Sequence, residues 1–156
     1  MSRRKRADRR EILPDARYNS IDVQSFINRI MKSGKKSVAS GLVYDAFNLM
    51  AERSGKDALE LFQTALKNTK PIMEVKPRRV GCATYQVPME VPGHRQFALA
   101  TRWIIAASRA RSGKNFSEKL AGELMDAANN AGSAVRRREE THRMAEANRA
   151  FSHYRV

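Results

Sequence analysis

Three histidines and a single cysteine are the residues of this chain best suited to metal or nucleophilic chemistry. His94, His142 and His153 show no HExxH spacing and no cysteine partner at ligand spacing, so they form no metal motif. Cys82 stands alone, which excludes a disulfide framework and a multi-cysteine zinc site and fits a reducing compartment. No family signature of a catalytic cysteine surrounds it. Phosphate loops need closer inspection, because Ser-Gly-Lys occurs three times, at Ser33–Lys35, Ser54–Lys56 and Ser112–Lys114. A P-loop requires glycine five residues before its Gly-Lys pair, and those positions hold Arg29, Met50 and Ser108. Each tripeptide lies between helical patterns, where glycine serves as a C-cap. A lysine next to the exposed N–H groups of the following helix would also make a small anion site. Neither reading is catalytic; no enzyme activity, metal or other cofactor is expected.

The cations carry more information. Among 156 residues, 30 are Lys or Arg and 16 are Asp or Glu, a formal net charge of +14. An acidic metabolite needs only a few cations, so this imbalance points to a polyanion. The first ten residues hold Arg3, Arg4, Lys5, Arg6, Arg9 and Arg10 with little that is apolar, the composition of a phosphate-seeking arm that orders on binding. Lys35 and Lys36 follow the first Ser-Gly-Lys glycine, and Lys76, Arg78, Arg79 and Tyr85 fall in a strand-like stretch. Arg95, Arg102 and Arg109 recur every seven residues and so drift only ~20° per step along one helical stripe. Arg111 and Lys114 extend that charge; Arg136, Arg137 and Arg138 open a last helix, which Arg143 and Arg149 continue. No apolar run approaches ~18 residues and no lipidation motif is present, so a membrane is not the expected partner. The start meets Asp8, Glu11 and Asp15 early and lacks a secretory apolar core, which makes the cytoplasm the expected location. Contacts dispersed over about five elements suit a folded RNA rather than the single recognition helix of a typical DNA reader. The alternative is an architectural DNA-bending protein whose β-ribbon arm enters a groove.

The elements that must position these residues are mainly helical. Val23, Phe26, Ile27, Ile30 and Met31 share one helical face, ended by Gly34. Val38, Leu42, Ala46 and Leu49 form a second stripe, widened by Val43, Phe47 and Met50. Asp57 with Glu60, and Asn115 with Glu118, have capping-box spacing; Leu59, Phe62 and Leu66, then Phe116, Leu120, Leu124 and Ala128, follow them. A long helix over 94–111 is expected to bury Ala98, Leu99, Trp103, Ala106 and Ala110, and a last one over 134–149 to pair Glu139 with Arg143. Between them the pattern alternates, giving a two-stranded ribbon over 72–76 and 83–89 that turns through Arg78, Arg79, Val80 and Gly81. The expected fold is mainly α: a single six-helix domain with one protruding β-hairpin and basic terminal extensions. Residues 1–18 form the arm, 19–149 the helical body with the hairpin at about 72–89, and 150–156 the tail.

Five segments in order, ILPDARYNS, FINRIMKSGKKSVASGLVYDA, PRRVGCATYQVP, ALATRWII and THRMAEANRAFSHYR, resemble the bacterial small-subunit ribosomal protein seven family. The resemblance runs from about residue 11 to 155. It implies a helical domain with a protruding hairpin, primary binding to the 3′ major domain of small-subunit ribosomal RNA, and nucleation of head assembly. It further implies that the hairpin lies at the exit site near transfer RNA and messenger RNA, with small-subunit proteins eleven and nine as neighbours. The chain departs from the family pattern at Cys82, where glycine is usual, at Pro92-Gly93-His94, where more arginine is expected, and at Val156, where an aromatic residue is frequent.

Overall fold

The computed structural model describes residues 10–154. The chain gathers into two compact units, Met1–Ser40 and Gly41–Val156. In the first, a buried aspartate organises the approach to a helix. Asp15 Oδ2 accepts the N–H groups of Arg17 (3.1 Å) and Tyr18 (2.9 Å), and Oδ1 accepts that of Ser20 (2.9 Å). Aspartate stabilises turns by such bonds to the backbone that follows it. Ser20 is thereby left extended at the N-cap of α1 (Ile21–Ile30), where its Oγ accepts the Val23 N–H. Val23, Phe26, Ile27 and Ile30 are buried as the periodicity predicts, Gln24 is buried beside them, and the helix ends before Met31, which becomes its C-cap. Ser33 and Gly34 then reverse the chain at φ +52° and +71°.

The helix α2 (Lys36–Ser54) buries Ala39, Val43, Ala46, Phe47 and Met50. The stripe expected through Val38, Leu42 and Leu49 is displaced: Val38 is exposed and the two leucines are only half-buried. Phe47 decides this, since its ring packs at 5.3 Å on that of Phe62 and pulls the neighbouring face inward. Phe62 belongs to α3 (Ala58–Thr69), whose N-cap Asp57 accepts the Glu60 N–H at 3.1 Å. The capping expected at Asn115 also forms, with Oδ1 accepting the Glu118 N–H at 2.8 Å to start α5 (Phe116–Ala128). In α5, Leu120 and Leu124 are buried with Ala121, Glu123 and Ala127, while Phe116 and Ala128 stay half-buried.

The long helix α4 (Gly93–Ala110) shows the largest error of the periodic reading. Leu99 is buried as expected, but Ala106 and Ala110 face solvent, and Ala98 and Trp103 are half-buried. The true inner face holds Ala100, Thr101, Ile104, Ile105, Ala107 and Ser108. Thr101 and Ser108 escape an apolar filter, yet each hydroxyl donates back to its own helix, to Phe97 O and Ile104 O, so burial leaves neither hydroxyl unsatisfied. The last helix, α6 (Gly132–Ala147), buries only Ala134, Val135, Thr141 and Ala145. A 3₁₀ helix (Arg149–Tyr154) follows, where only a tail was expected.

The ribbon is longer and its turn tighter than the proline and glycine suggest. β1 (Met73–Val80) pairs antiparallel with β2 (Ala83–Glu90), and Pro77 lies opposite Gln86 and Pro88 opposite Val75. Both strands of a two-stranded ribbon are edges, and an edge tolerates proline where an N–H would point outward. Arg78, Arg79 and Val80 are therefore strand residues, and the turn is Gly81–Cys82 alone. Gly81 takes φ +62° and Cys82 does not take a positive φ, the pattern of a two-residue turn with glycine in its first central position. The cysteine in the second central position thus meets no backbone obstacle.

Helices α4, α5 and α6 meet around one fully buried carboxylate. Glu123 Oε1 accepts the Ala134 N–H (2.9 Å) at the start of α6, and Oε2 accepts from Arg111 (2.7 Å) just beyond α4. Gly132 makes room: it has φ +89°, and a Cβ there would lie 2.9 Å from Glu123 Oε1. Gly132→Ala is expected to destabilise the protein by at least ~1 kcal/mol, from strain at positive φ and displacement of the carboxylate. Glu123→Ala, which strips a buried partner from a charge and from a helix N-terminus, is expected to cost ~3 kcal/mol or more. Chemical denaturation of both variants checks this; a wild-type midpoint for either contradicts the assignment.

Candidate nucleic-acid interface

The ribbon is fixed at its root by charge. Glu74, 7% exposed, accepts two bonds from Arg95, Nε to Oε1 at 2.6 Å and NH2 to Oε2 at 2.9 Å, while Lys76 stands 3.4 Å away. Arg95 hydrogen bonding holds the Glu74 carboxyl below its ordinary value of 4.5, against burial, which acts to raise it. On the neighbouring side, the Ile72 N–H donates to His142 Nε2 on α6 at 3.0 Å. Midway along β2, Tyr85 packs on the 3₁₀ helix, stacked on Tyr154 with ring centres 4.9 Å apart and tilted on Phe151 at 5.4 Å. Tyr85 thus packs on residues of the chain's own tail.

The cations singled out from sequence divide by what they touch. Arg3, Arg4, Lys5, Arg6 and Arg9 lie outside the described residues, and Arg10 is exposed. Four others hold the framework together. Arg95 and Lys76 serve the ribbon root, and Arg111 also reaches Asp126 at 2.6 Å. Arg138 donates to the Asn68 carbonyl of α3 and lies 3.6 Å from Glu139, which takes the place of the expected Glu139–Arg143 pair. Arg137 pairs with Glu140 and Arg149 with Glu146 along the helical surface, both at exposed sites where such pairs are weak. Arg78 is half-buried and engaged, and Arg79 Nε donates to Gly81 O at 3.2 Å beside the turn. Arg102 and Arg109 on α4, and Arg136 and Arg143 on α6, are exposed and have no carboxylate partner among the described residues. Arg136, Arg137 and Arg143 line one shallow depression of α6 with Ser133, Glu139 and Glu140. The seven-residue stripe of α4 is therefore split: Arg102 and Arg109 face solvent, whereas Arg95 is bound inward.

The Ser-Gly-Lys junctions are helix ends whose donors are already used. Gly34, Gly55 and Gly113 take φ of +71°, +66° and +154°. Lys35 N donates to Lys32 O, Lys56 N to Ser54 Oγ, and Lys114 N to Glu118 Oε2. The backbone groups that an anion would need are spent at each lysine, while the side chains of Lys35, Lys36 and Lys114 remain exposed. No group of three or more His, Cys, Asp or Glu that could hold a metal occurs among the described residues. No described helix is long and apolar enough to cross a membrane.

Sequence reasoning missed the acceptors. Glu74, Glu123 and Asp126 carry no motif, and Asn68, whose amide donates to both Ala127 O and Ala128 O at 3.0 Å, looks like an ordinary helix-surface residue. The one local signal that could have pointed to Glu123 is Gly132, a glycine at a helix start.

A helical body whose ion pairs set the framework, and whose remaining arginines face solvent beside a basic ribbon, has the construction of an RNA-binding scaffold. The family described as Ribosomal protein S7p/S5e matches residues 2–149, and the chain belongs to that family of structural, non-enzymatic components of the ribosome. It is similar to proteins described as small ribosomal subunit protein uS7. The one from Desulfatibacillum aliphaticivorans is 57% identical over 155 residues, those from Parasynechococcus marenigrum (strain WH8102) 59% and Synechococcus sp. (strain CC9902) 61%; each alignment covers 99% of both chains.

The His142–Ile72 bond requires a neutral Nε2. Burial, and then the charge of Arg138, lower the imidazole from its ordinary 6.5. With the folded value below the unfolded one, the unfolded chain binds more protons at mildly acid pH. This contribution to stability is therefore complete above 6.5 and is lost as pH falls through the folded value. NMR titration is expected to place the His142 midpoint below 6.5, with protection of the Ile72 amide falling over the same range. A midpoint at or above that value, or protection unchanged by protonation, contradicts the coupling.

Proposed function

We propose that this protein is a primary binder of the 3′ major domain of small-subunit ribosomal RNA and nucleates assembly of the subunit head. It acts in the cytoplasm as part of the ribosome, with its hairpin at the exit site near transfer RNA and messenger RNA, beside small-subunit proteins eleven and nine. The mechanism is electrostatic and steric. Arginines on pinned helices neutralise converging phosphates, and the helical body holds the RNA helices in one relative orientation. Family membership supports the setting. The observation that carries the mechanism is the set of exposed arginines without carboxylate partners among the described residues, Arg102, Arg109, Arg136 and Arg143. Arg95 and Arg111 act through the framework rather than on RNA. The ribbon, with Arg79 and the turn at its far end, serves the exit site rather than primary binding.

Arg102→Ala with Arg109→Ala is expected to leave thermal stability unchanged and to weaken binding to a ribosomal RNA fragment of the 3′ major domain. The slope of log affinity against log salt is expected to fall by about 2, one for each phosphate that an arginine no longer neutralises. Arg95→Ala is expected to lower the melting temperature instead. An unchanged slope in the double variant, or equal affinity of the wild type for duplex DNA at matched salt, overturns the reading.

A further inference from the structure

A slot of about 350 Å³ opens between the ribbon, α4 and α6. Its apolar lining comes from three elements: Val75 of β1, Leu99 and Trp103 of α4, and Met144 of α6. Met144 is 43% exposed and Trp103 only half-buried, so a methionine and an indole are presented to whatever enters. The polar groups of the slot are not exhausted by the fold. The indole N–H of Trp103 makes no hydrogen bond among the described residues. Among those residues only Arg138 Nε is both buried and unpartnered, so that indole N–H is open to solvent. Gln86 is exposed and its amide is unengaged, and Asn148 spends its amide N–H on Met144 O at 2.8 Å, leaving its carbonyl oxygen. Glu74 also lines the slot, but Arg95 and Lys76 neutralise it, and Arg137 stands at the opposite side. The slot is therefore not anionic, and Arg102, next to Trp103 in sequence, adds an exposed cation with no carboxylate partner among the described residues.

We propose that this slot receives one unstacked nucleobase of the bound RNA, held between Trp103 and Met144, with its edge read by Gln86, Asn148 and the indole N–H. The inference rests on the RNA-binding function proposed above and adds a base-contacting site to what is otherwise phosphate recognition. A cleft that sets an indole, a methionine and two aliphatic side chains beside amide donors and acceptors suits a flat, amphipathic ring better than it suits a phosphate. Single-stranded loops of a folded RNA supply such rings, which stack on aromatic side chains.

Trp103 is the only tryptophan in the chain, so intrinsic tryptophan fluorescence reports this slot alone. Wild-type protein saturated with a 3′ major domain RNA fragment, with saturation followed by anisotropy of labelled RNA, is expected to show quenched Trp103 emission and reduced acrylamide access. Inorganic polyphosphate, a polyanion without bases, is expected to bind without either change. Trp103→Leu is expected to lower RNA affinity about 5–150-fold, the loss of one base–aromatic stack. Unchanged emission and acrylamide access at RNA saturation overturn the base slot and leave the RNA-binding function standing, whether or not Trp103→Leu folds. So does an equal response to polyphosphate. Failure of the wild type to bind the RNA at all overturns both.

Discussion

A carboxylate with no solvent exposure must be surrounded by donors, because burying an unpaired charge costs several kcal/mol. Glu123 meets this condition by taking one donor from the start of α6 and one from the residue after α4, while itself belonging to α5. The helix N-terminus adds its own partial positive charge, which favours an anion at that point. Three helices are thus tied at one carboxylate, and the tie admits no side chain at Gly132. The direction in which α6 presents its arginines follows from this contact more than from the thin stripe of alanines, valine and threonine that α6 buries.

That contact also explains why counting cations was a good guide to class but did not tell which arginines are tied to the framework. The excess of Lys and Arg over Asp and Glu, and their spread over helices and ribbon, were legible as RNA chemistry. Which arginine bonds a framework acceptor was not, because it depends on acceptors brought from far along the chain: Glu74 is 21 residues from Arg95, and Asn68 is 70 from Arg138. Periodicity treats Arg95, Arg102 and Arg109 as equivalent. A buried glutamate opposite only the first of them breaks the equivalence.

Helix boundaries were legible where capping is local. Asp57 and Asn115 each accept a backbone N–H three residues on, so sequence spacing contains the whole interaction. Buried faces were less legible, since α4 turns inward not only Leu99, Ile104 and Ile105 but also Ala100, Ala107, Thr101 and Ser108, which pack closely yet carry little apolar signal to orient the helix. The ribbon was recognised by its alternation but drawn too short, because proline was treated as a strand breaker rather than as an edge residue. Its contact with Phe151 and Tyr154 has no local signature at all.

The two parts of the surface therefore differ mechanically. α4 is pinned at both ends, by Arg95 on Glu74 near its start and by Arg111 on Glu123 and Asp126 just past its end. Seven residues of helix separate Arg102 from Arg109, so their Cα atoms are held about 10 Å apart before any phosphate arrives, and little conformational entropy remains to be lost on contact. The ribbon is an isolated pair of strands, marginal by itself, steadied by an ion pair and a histidine at its root and by Tyr85 against the 3₁₀ helix farther out. Beyond Tyr85, the bond from Arg79 to Gly81 O stiffens its turn. The pinned helix therefore offers arginines at fixed spacing, as the phosphate contacts proposed above require, whereas the ribbon depends for its position on the few contacts at its root and at Tyr85.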